Sequence, residues 1–183
     1  RGNTVSVDGS NVLTYGEKIS KLTLGNTVFV EAGTDNMVEG ILSWSNPDEI
    51  PATGTTQAGW VFKPTDSRHY AELTGTAAIT VAKATPVIAE KPTAGALTYG
   101  QKLSDSTLTG GKAAYQTADG TEITGTFAWK NSSSKPTVAD SGKTEYDVTF
   151  TPSDTANYNA VGIKLSLTVN KAAKAPNMPQ TAM

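Results

Sequence analysis

The sequence predicts an all-β protein built from two tandem β-sandwich domains, and three observations support that prediction. Charged residues make up only 17% of the chain, while Thr occupies 28 positions and Gly 17. Thr is β-branched and fits the pleated surface of a strand. The phrase LTYGEKIS, which starts at Leu13, returns almost unchanged as LTYGQKLS at Leu97. Between turn-forming stretches, apolar and polar residues alternate with the period of two that is typical of strands.

The returning phrase belongs to a longer internal match, and the gaps in that match fall in turn-like stretches. The matched pairs are Tyr15 with Tyr99, Gly16 with Gly100, Lys18 with Lys102, Leu24 with Leu108, Gly40 with Gly125, Trp44 with Trp129, Pro51 with Pro136, Gly54 with Gly142, Phe62 with Phe150, Pro64 with Pro152, Asp66 with Asp154 and Tyr70 with Tyr158. Such self-similarity indicates tandem structural repeats. We therefore predict one domain at residues 1–83, a second at 84–171, and a linker to a following unit at 172–183.

The alternation predicts many short strands in each repeat, of which several can be placed. The first shares one apolar face over residues 38–44 and again over 123–129, and each copy ends in tryptophan. The second covers 58–62 in repeat 1 and 146–150 in repeat 2. The last strand of repeat 2 is predicted to run unbroken over 161–169, with every odd-numbered residue apolar. The stretch after TYG does not alternate, which predicts a bulge or bend there.

A difference between the copies predicts how two of these strands pack. Repeat 1 has Trp60 where repeat 2 has Val148, and on the next strand it has Gly75 where repeat 2 has Ile163. A large residue replaces a small one on the first strand, and the reverse holds on the second. Because interiors are close-packed, this exchange predicts that the two strands form a hairpin over one core, with Trp60 buried.

Several stretches resemble a known family. YGQKLSDSTLTGG, GTFAWKN, SGKTEYDVTFTPSDTANY and LSLTVNKA are similar to the bacterial immunoglobulin-like repeats found in tandem on large secreted and cell-surface proteins. Repeat 1 departs from that pattern, with Ala58 where repeat 2 has Tyr146 and FKPTDSRHY in place of FTPSDTANY. The resemblance implies two tandem immunoglobulin-like β-sandwich domains, serving as a stalk, spacer or adhesive module outside a bacterial cell or on its surface. It implies no catalytic residues.

The residues that could carry chemistry are better explained by structure. Trp44 and Trp129 could stack on sugars, but each shares a face with Gly and large apolar residues, which favours the core. Asp66 and Asp154 each stand alone in a loop, whereas Ca²⁺ needs several oxygen ligands. We interpret these carboxylates as turn caps and predict no metal and no cofactor.

The sequence also argues against catalysis. His69 is the only histidine, and the chain has no cysteine. That count excludes thiol nucleophiles and zinc–thiolate sites. Repeat 2 has Asn157 at the His69 position, so a Ser-His-Asp triad cannot be a shared property of the repeats. We predict that the protein is not an enzyme and has no catalytic residues.

The predicted function is a non-catalytic structural or adhesion module, a monomer whose partners are the neighbouring domains of its own chain. Two alternatives stay open: an adhesin that binds a glycan or host protein, and an accessory module of a secreted polysaccharide-degrading enzyme. Binding would be sought in the loops that differ most between repeats, where Phe29 and Tyr115 are the candidate ligand contacts. A net charge of −2 with scattered basic residues predicts no nucleic-acid partner. No apolar stretch is long enough to predict membrane insertion of this fragment.

Overall fold

The structure, a computed structural model, describes residues 4–173, so residues 174–183 of the predicted linker lie outside the described residues. The chain is all-β, as predicted. Within the described residues, helical structure is limited to three single-turn 3-10 helices. The chain divides into two compact units. Unit 1 comprises Arg1–Ala84 with the segment Ala156–Tyr158, and unit 2 comprises Thr85–Thr155 with Asn159–Met183.

Unit 1 is built around one four-stranded sheet. Its strands are β1 (Val12–Thr14), β2 (Gly40–Trp44), β3 (Gly54–Pro64) and β4 (Leu73–Ala82). They lie in the order β1-β4-β3-β2, with β1 parallel to β4 and the other pairs antiparallel. Two isolated antiparallel bridges order the chain outside these strands. Val7 pairs with Leu24, which joins the residues before β1 to the segment between β1 and β2, and Val30 pairs with Met37 within that segment.

Unit 2 contains the remaining strands of the described chain. They are β5 (Val87–Glu90), β6 (Thr93–Ala94), β7 (Leu97–Thr98), β8 (Leu108–Thr109), β9 (Lys112–Ala114), β10 (Glu122–Ile123), β11 (Gly125–Trp129), β12 (Tyr146–Pro152), β13 (Val161–Leu165) and β14 (Val169–Asn170). The larger sheets have the orders β10-β9-β5 and β11-β12-β13, while β14 pairs with β7 and β6 pairs with β8.

The two units share a strand plan in the same register. Gly40 faces Pro64 across β2 and β3, as Gly125 faces Pro152 across β11 and β12. In each unit, the strand that carries the LTYG phrase pairs in parallel with the last strand, β1 with β4 and β7 with β14. The internal sequence match therefore corresponds to a match in strand pairing.

The prediction of an unbroken last strand over 161–169 is wrong. β13 ends at Leu165 and β14 begins at Val169. In unit 1, β3 starts at Gly54 and can pair with β4 as far as Val81. In unit 2, β12 starts only at Tyr146, because the preceding residues form the 3-10 helix Val138–Asp140 and a turn. Residues 166–168 therefore have no ladder partner on β12, although the apolar alternation continues through them.

The stretch after TYG is a turn followed by a single helical turn, where the sequence predicts a bulge or bend. Gly16 and Gly100 have positive φ values of 94° and 100°, a conformation that suits glycine. The 3-10 helices Ile19–Lys21 and Leu103–Asp105 follow. Each begins with a buried apolar residue, so the turn anchors this loop to the core.

The predicted hairpin with a shared core is confirmed. β3 pairs with β4 so that Trp60 lies opposite Gly75, and Val148 lies opposite Ile163 in unit 2. Trp60 is 5% exposed. A Cβ added to Gly75 would lie 2.6 Å from Trp60 Cε2, well inside van der Waals contact. The indole thus fills the space that the side chain of residue 75 would otherwise occupy.

Candidate functional site

The three tryptophans are core residues, as predicted, and none presents a stacking surface. All three side chains are buried. Trp44 Nε1 donates to the Leu22 carbonyl at 2.8 Å, and Trp129 Nε1 donates to the Ser106 carbonyl at 3.0 Å. Trp60 Nε1 is buried with no hydrogen-bond partner among the described residues. A buried donor without a partner is destabilising, so this indole is held by packing alone.

Phe29 lies in the core of unit 1. It is 5% exposed and stacks on Phe62, with ring centroids 3.8 Å apart and an interplanar angle of 12°. Its centroid is 6.0 Å from that of Trp60. This candidate contact residue is therefore buried in the core, and it also lines the cavity beside the 25–37 hairpin together with Phe62.

Tyr115 is half-buried at the turn between β9 and β10. Its backbone N–H donates to the Thr121 carbonyl at 2.9 Å, which closes the turn. The neighbouring Gln116 has a positive φ of 61°, and its Nε2 donates to the Tyr115 hydroxyl at 3.2 Å. The two candidates therefore lie in different units, one in the core and one at a surface turn.

The single histidine forms a solvated pair with a carboxylate. His69 Nδ1 lies 2.7 Å from Asp66 Oδ2, and the His69 side chain is 75% exposed. The hydrogen bond with His69 holds the pKa of Asp66 below its ordinary value. Asp66 Oδ1 also accepts from the Arg68 N–H at 3.3 Å, so this carboxylate caps its turn as predicted. The pair lies on an exposed turn, where water screens its charges, and Asp66 also lines a cavity of about 430 Å³ with Met37, Glu39 and Tyr70.

The loop at 25–37, one of the two loops in which the sequence predicts binding, forms an exposed apolar surface, but through residues other than the candidate Phe29. The bridge from Val30 to Met37 folds it into a small hairpin, and Val38 N–H donates to the Phe29 carbonyl at 2.7 Å. Met37 is 67% exposed. A cavity of about 400 Å³ lies between this hairpin and β2, with Phe62 at its base. The sequence does not reveal this exposure, because Val28, Phe29 and Val30 are all apolar, although only Phe29 is buried.

Unit 2 carries a second apolar surface, the Tyr99 groove. It has a volume of about 440 Å³ and is lined by Tyr99, Thr137, Val138, Ala139, Lys171 and Ala172. The Tyr99 side chain is 57% exposed. Its backbone is fixed by donation to the Asn170 carbonyl at 2.8 Å. The internal match identifies this tyrosine as a shared position, but nothing in its local sequence reveals its exposure.

Several charged residues are paired locally on the surface. Lys164 Nζ donates to Asp147 Oδ1 at 2.9 Å across β12 and β13, and this bond lowers the pKa of Asp147. Glu31 accepts from the side chains of Thr34 and Asn36, which stabilises the 31–36 turn. Within residues 4–173, no group of three or more histidines or acidic residues is placed to hold a metal ion. In the same range, no helix has the length and apolar character needed to span a membrane.

No protein-family model matches the chain, and no curated protein matches it. The two apolar surfaces, the hairpin beside Phe29 and the Tyr99 groove, are therefore assessed from their own geometry. Neither brings together an acid, a base and a nucleophile. The Tyr99 groove has a mainly apolar lining, whereas polar and apolar atoms line the cavity beside the hairpin in similar amounts.

Proposed function

We propose that the chain is a pair of tandem immunoglobulin-like β-sandwich domains, acting as a non-catalytic structural spacer in a multidomain bacterial surface or secreted protein. The all-β structure fits a β-sandwich fold. Each unit buries its own apolar cluster, which includes Trp44 and Trp60 in unit 1 and Trp129 in unit 2. The shared register of β2–β3 and β11–β12 supports the tandem relationship.

One observation carries this proposal: most residues matched between the two units build the fold. Trp44, Phe62 and Pro64 are buried, as are their counterparts in unit 2. The matched glycines at 16, 54, 100 and 142 all have positive φ. By contrast, the only histidine is not repeated, because unit 2 has Asn157 at the position of His69. A duplicated spacer needs its architecture in both copies and needs no shared reactive group.

The test is a binding screen of the folded chain on arrays of glycans and extracellular-matrix proteins. A spacer is expected to show no saturable binding, while its circular dichroism and cooperative unfolding show that the sample is folded. Saturable binding to any array member, at a concentration where an unrelated β-protein does not bind, would overturn the spacer proposal in favour of an adhesin. The glycan array also tests the alternative that the chain is an accessory module of a polysaccharide-degrading enzyme, because such a module would bind glycans.

The exposed hairpin favours a second candidate function, a ligand-binding adhesin. Apolar side chains in contact with water tend to mark interaction sites when they surround a concave surface. Met37 and Val28 flank the cavity above Phe62 and are both largely exposed. If the array gives a hit, Met37→Ala is expected to abolish it and Tyr115→Ala to leave it unchanged. The opposite result would move the binding site to the β9–β10 turn.

A further inference from the structure

Unit 1 contains a three-residue segment from far along the chain, Ala156–Tyr158, held by contacts inside that unit. Tyr158 packs edge-to-face on Tyr15, with centroids 5.4 Å apart and an interplanar angle of 88°. The Ala84 N–H donates to the Asn157 carbonyl at 2.9 Å, and Ala84 forms a parallel bridge with Tyr158. Thr53 Oγ1 lies 2.7 Å from Asn157 Oδ1, within hydrogen-bonding distance.

The internal sequence match maps two of these three receiving residues onto the Tyr99 groove of unit 2. Tyr15 corresponds to Tyr99, and Ala84 corresponds to Ala172. Thr53 lies in a gap of the match, so it corresponds to Val138 when counted from Pro51 and Pro136 and to Ser141 when counted from Gly54 and Gly142. Tyr99, Ala172 and Val138 line the groove.

The backbone around the two tyrosines is the same. Tyr15 N–H donates to the Ala82 carbonyl at 2.8 Å, and Tyr99 N–H donates to the Asn170 carbonyl at 2.8 Å. The tyrosines differ in what covers them. Tyr15 is half-buried, whereas Tyr99 is 57% exposed. Unit 2 thus has the counterpart of the unit 1 surface that holds Asn157 and Tyr158. In unit 2 the tyrosine of this surface is exposed.

We propose that the Tyr99 groove binds the Asn-Tyr segment of a further repeat that follows unit 2 in the same chain. The groove would hold that segment as Tyr15, Thr53 and Ala84 hold Asn157 and Tyr158. This inference rests on the proposed tandem-spacer function and adds the surface through which successive repeats bind. The sequence supports the choice of occupant, because Lys171-Ala172 is followed within four residues by Pro176, as Lys83-Ala84 is by Pro86.

The contact can be tested by cross-linking, because the chain has no cysteine of its own. A further copy of residues 84–171 is fused after Lys171, which reproduces the Lys-Ala-Thr-Pro junction. Val138→Cys is then combined with Asn157→Cys in the added copy. The reference pair is Thr53→Cys with Asn157→Cys in the original chain. Each variant is treated with a short bismaleimide and analysed by denaturing gel and intact mass.

We expect the Val138 pair to cross-link to the same extent as the reference pair. Tyr99→Ala is expected to remove most of that cross-link while leaving the reference pair unaffected. A Lys112→Cys variant, on β9 and outside the groove, gives the background from random encounter when paired with the same added cysteine. The proposal is overturned if the Val138 pair gives no more product than the Lys112 pair while the reference pair reacts. That failure would leave the spacer function standing, since the array screen measures a separate property.

Discussion

The exchange of side chains between β3 and β4 allows a quantitative test of the core. Changing Gly75→Ile alone should place a branched side chain where the Trp60 ring lies, because even a Cβ there would lie 2.6 Å from Cε2. Overpacking a well-packed core costs typically about 1–3 kcal/mol. A residue that adds four carbons at once should lie at the upper end, so we expect a loss of about 3 kcal/mol in the free energy of unfolding.

Changing Trp60→Val alone should leave a cavity. Truncating a buried aromatic residue costs about 3–5 kcal/mol. Here the substitution also removes the buried indole N–H that has no partner, whose burial costs about 1–3 kcal/mol. The net loss expected for this variant is therefore about 2–3 kcal/mol.

The double variant installs in unit 1 the pair that unit 2 already uses, Val148 opposite Ile163. Because the total volume is nearly restored, its loss should be about 1 kcal/mol, which is typical of volume-conserving exchanges. The coupling energy between the two sites is then about 4–5 kcal/mol, above the range of about 0.5–3 kcal/mol that is usual for residues in direct contact.

The assay is calorimetric unfolding of the full chain, in which the transition of unit 2 serves as an internal reference. Trp44 stays in unit 1 in every variant and reports that transition by fluorescence. The reciprocal pair in unit 2, Val148→Trp with Ile163→Gly, is the matched control and should show the same sign of coupling. The reasoning is refuted if the loss in the double variant equals the sum of the single losses to within about 0.5 kcal/mol.

Three further predictions concern unit 2. Gly125→Ala should destabilise by about 1–3 kcal/mol in urea unfolding, because its new Cβ would lie 2.5 Å from Phe150 Cζ. Gly162→Ala is the control, with nothing within 4 Å of its Cβ, and an equal loss there would contradict the steric argument. Trp129→Phe should lower the free energy of unfolding, followed by circular dichroism, by about 1–3 kcal/mol, because it leaves the buried Ser106 carbonyl without its donor. An unchanged free energy of unfolding would show that water replaces the indole. The pKa of Asp140 lies below its ordinary value of 3.8, because its carboxylate accepts hydrogen bonds, first from Thr137 and then from Thr144. This carboxylate should therefore stabilise the fold above about pH 4 and lose that effect as pH falls through its lowered pKa. Asp140→Asn should make the thermal unfolding midpoint less dependent on pH in the acid range. If that dependence is unchanged, the Asp140 carboxylate does not contribute to stability.

The sequence predicts the parts of the fold that depend on local alternation. The faces that end in Trp44 and Trp129 lie on strands as expected, and the volume exchange at Trp60 locates a strand pair that the structure contains. The break after Leu165 was not predictable from that strand itself. It arises because the neighbouring β12 starts late, after the 3-10 helix Val138–Asp140.

The candidate sites were predicted less well, for a physical reason. Whether Phe29 is buried depends on Phe62, which is distant in sequence and becomes its stacking partner only in the folded unit. Tyr15 and Tyr99 lie in the same LTYG phrase and make the same backbone hydrogen bond, yet they differ in exposure. Local pattern cannot distinguish two such residues, because the difference comes from what packs against each of them.

The parallel pairing of each LTYG strand with the last strand of its unit has a consequence for folding kinetics. In unit 1, Leu13 must reach Val81 before the ladder forms, and in unit 2, Leu97 must reach Val169. Contacts between residues so distant in sequence slow folding, because the chain entropy of loop closure is lost before the contact forms. We expect the near-identical phrases to compete during folding, because the two LTYG strands carry almost the same residues and could each pair with either last strand. A chain synthesised from its N-terminus reduces that competition, because β4 is complete and can take β1 before β14 exists.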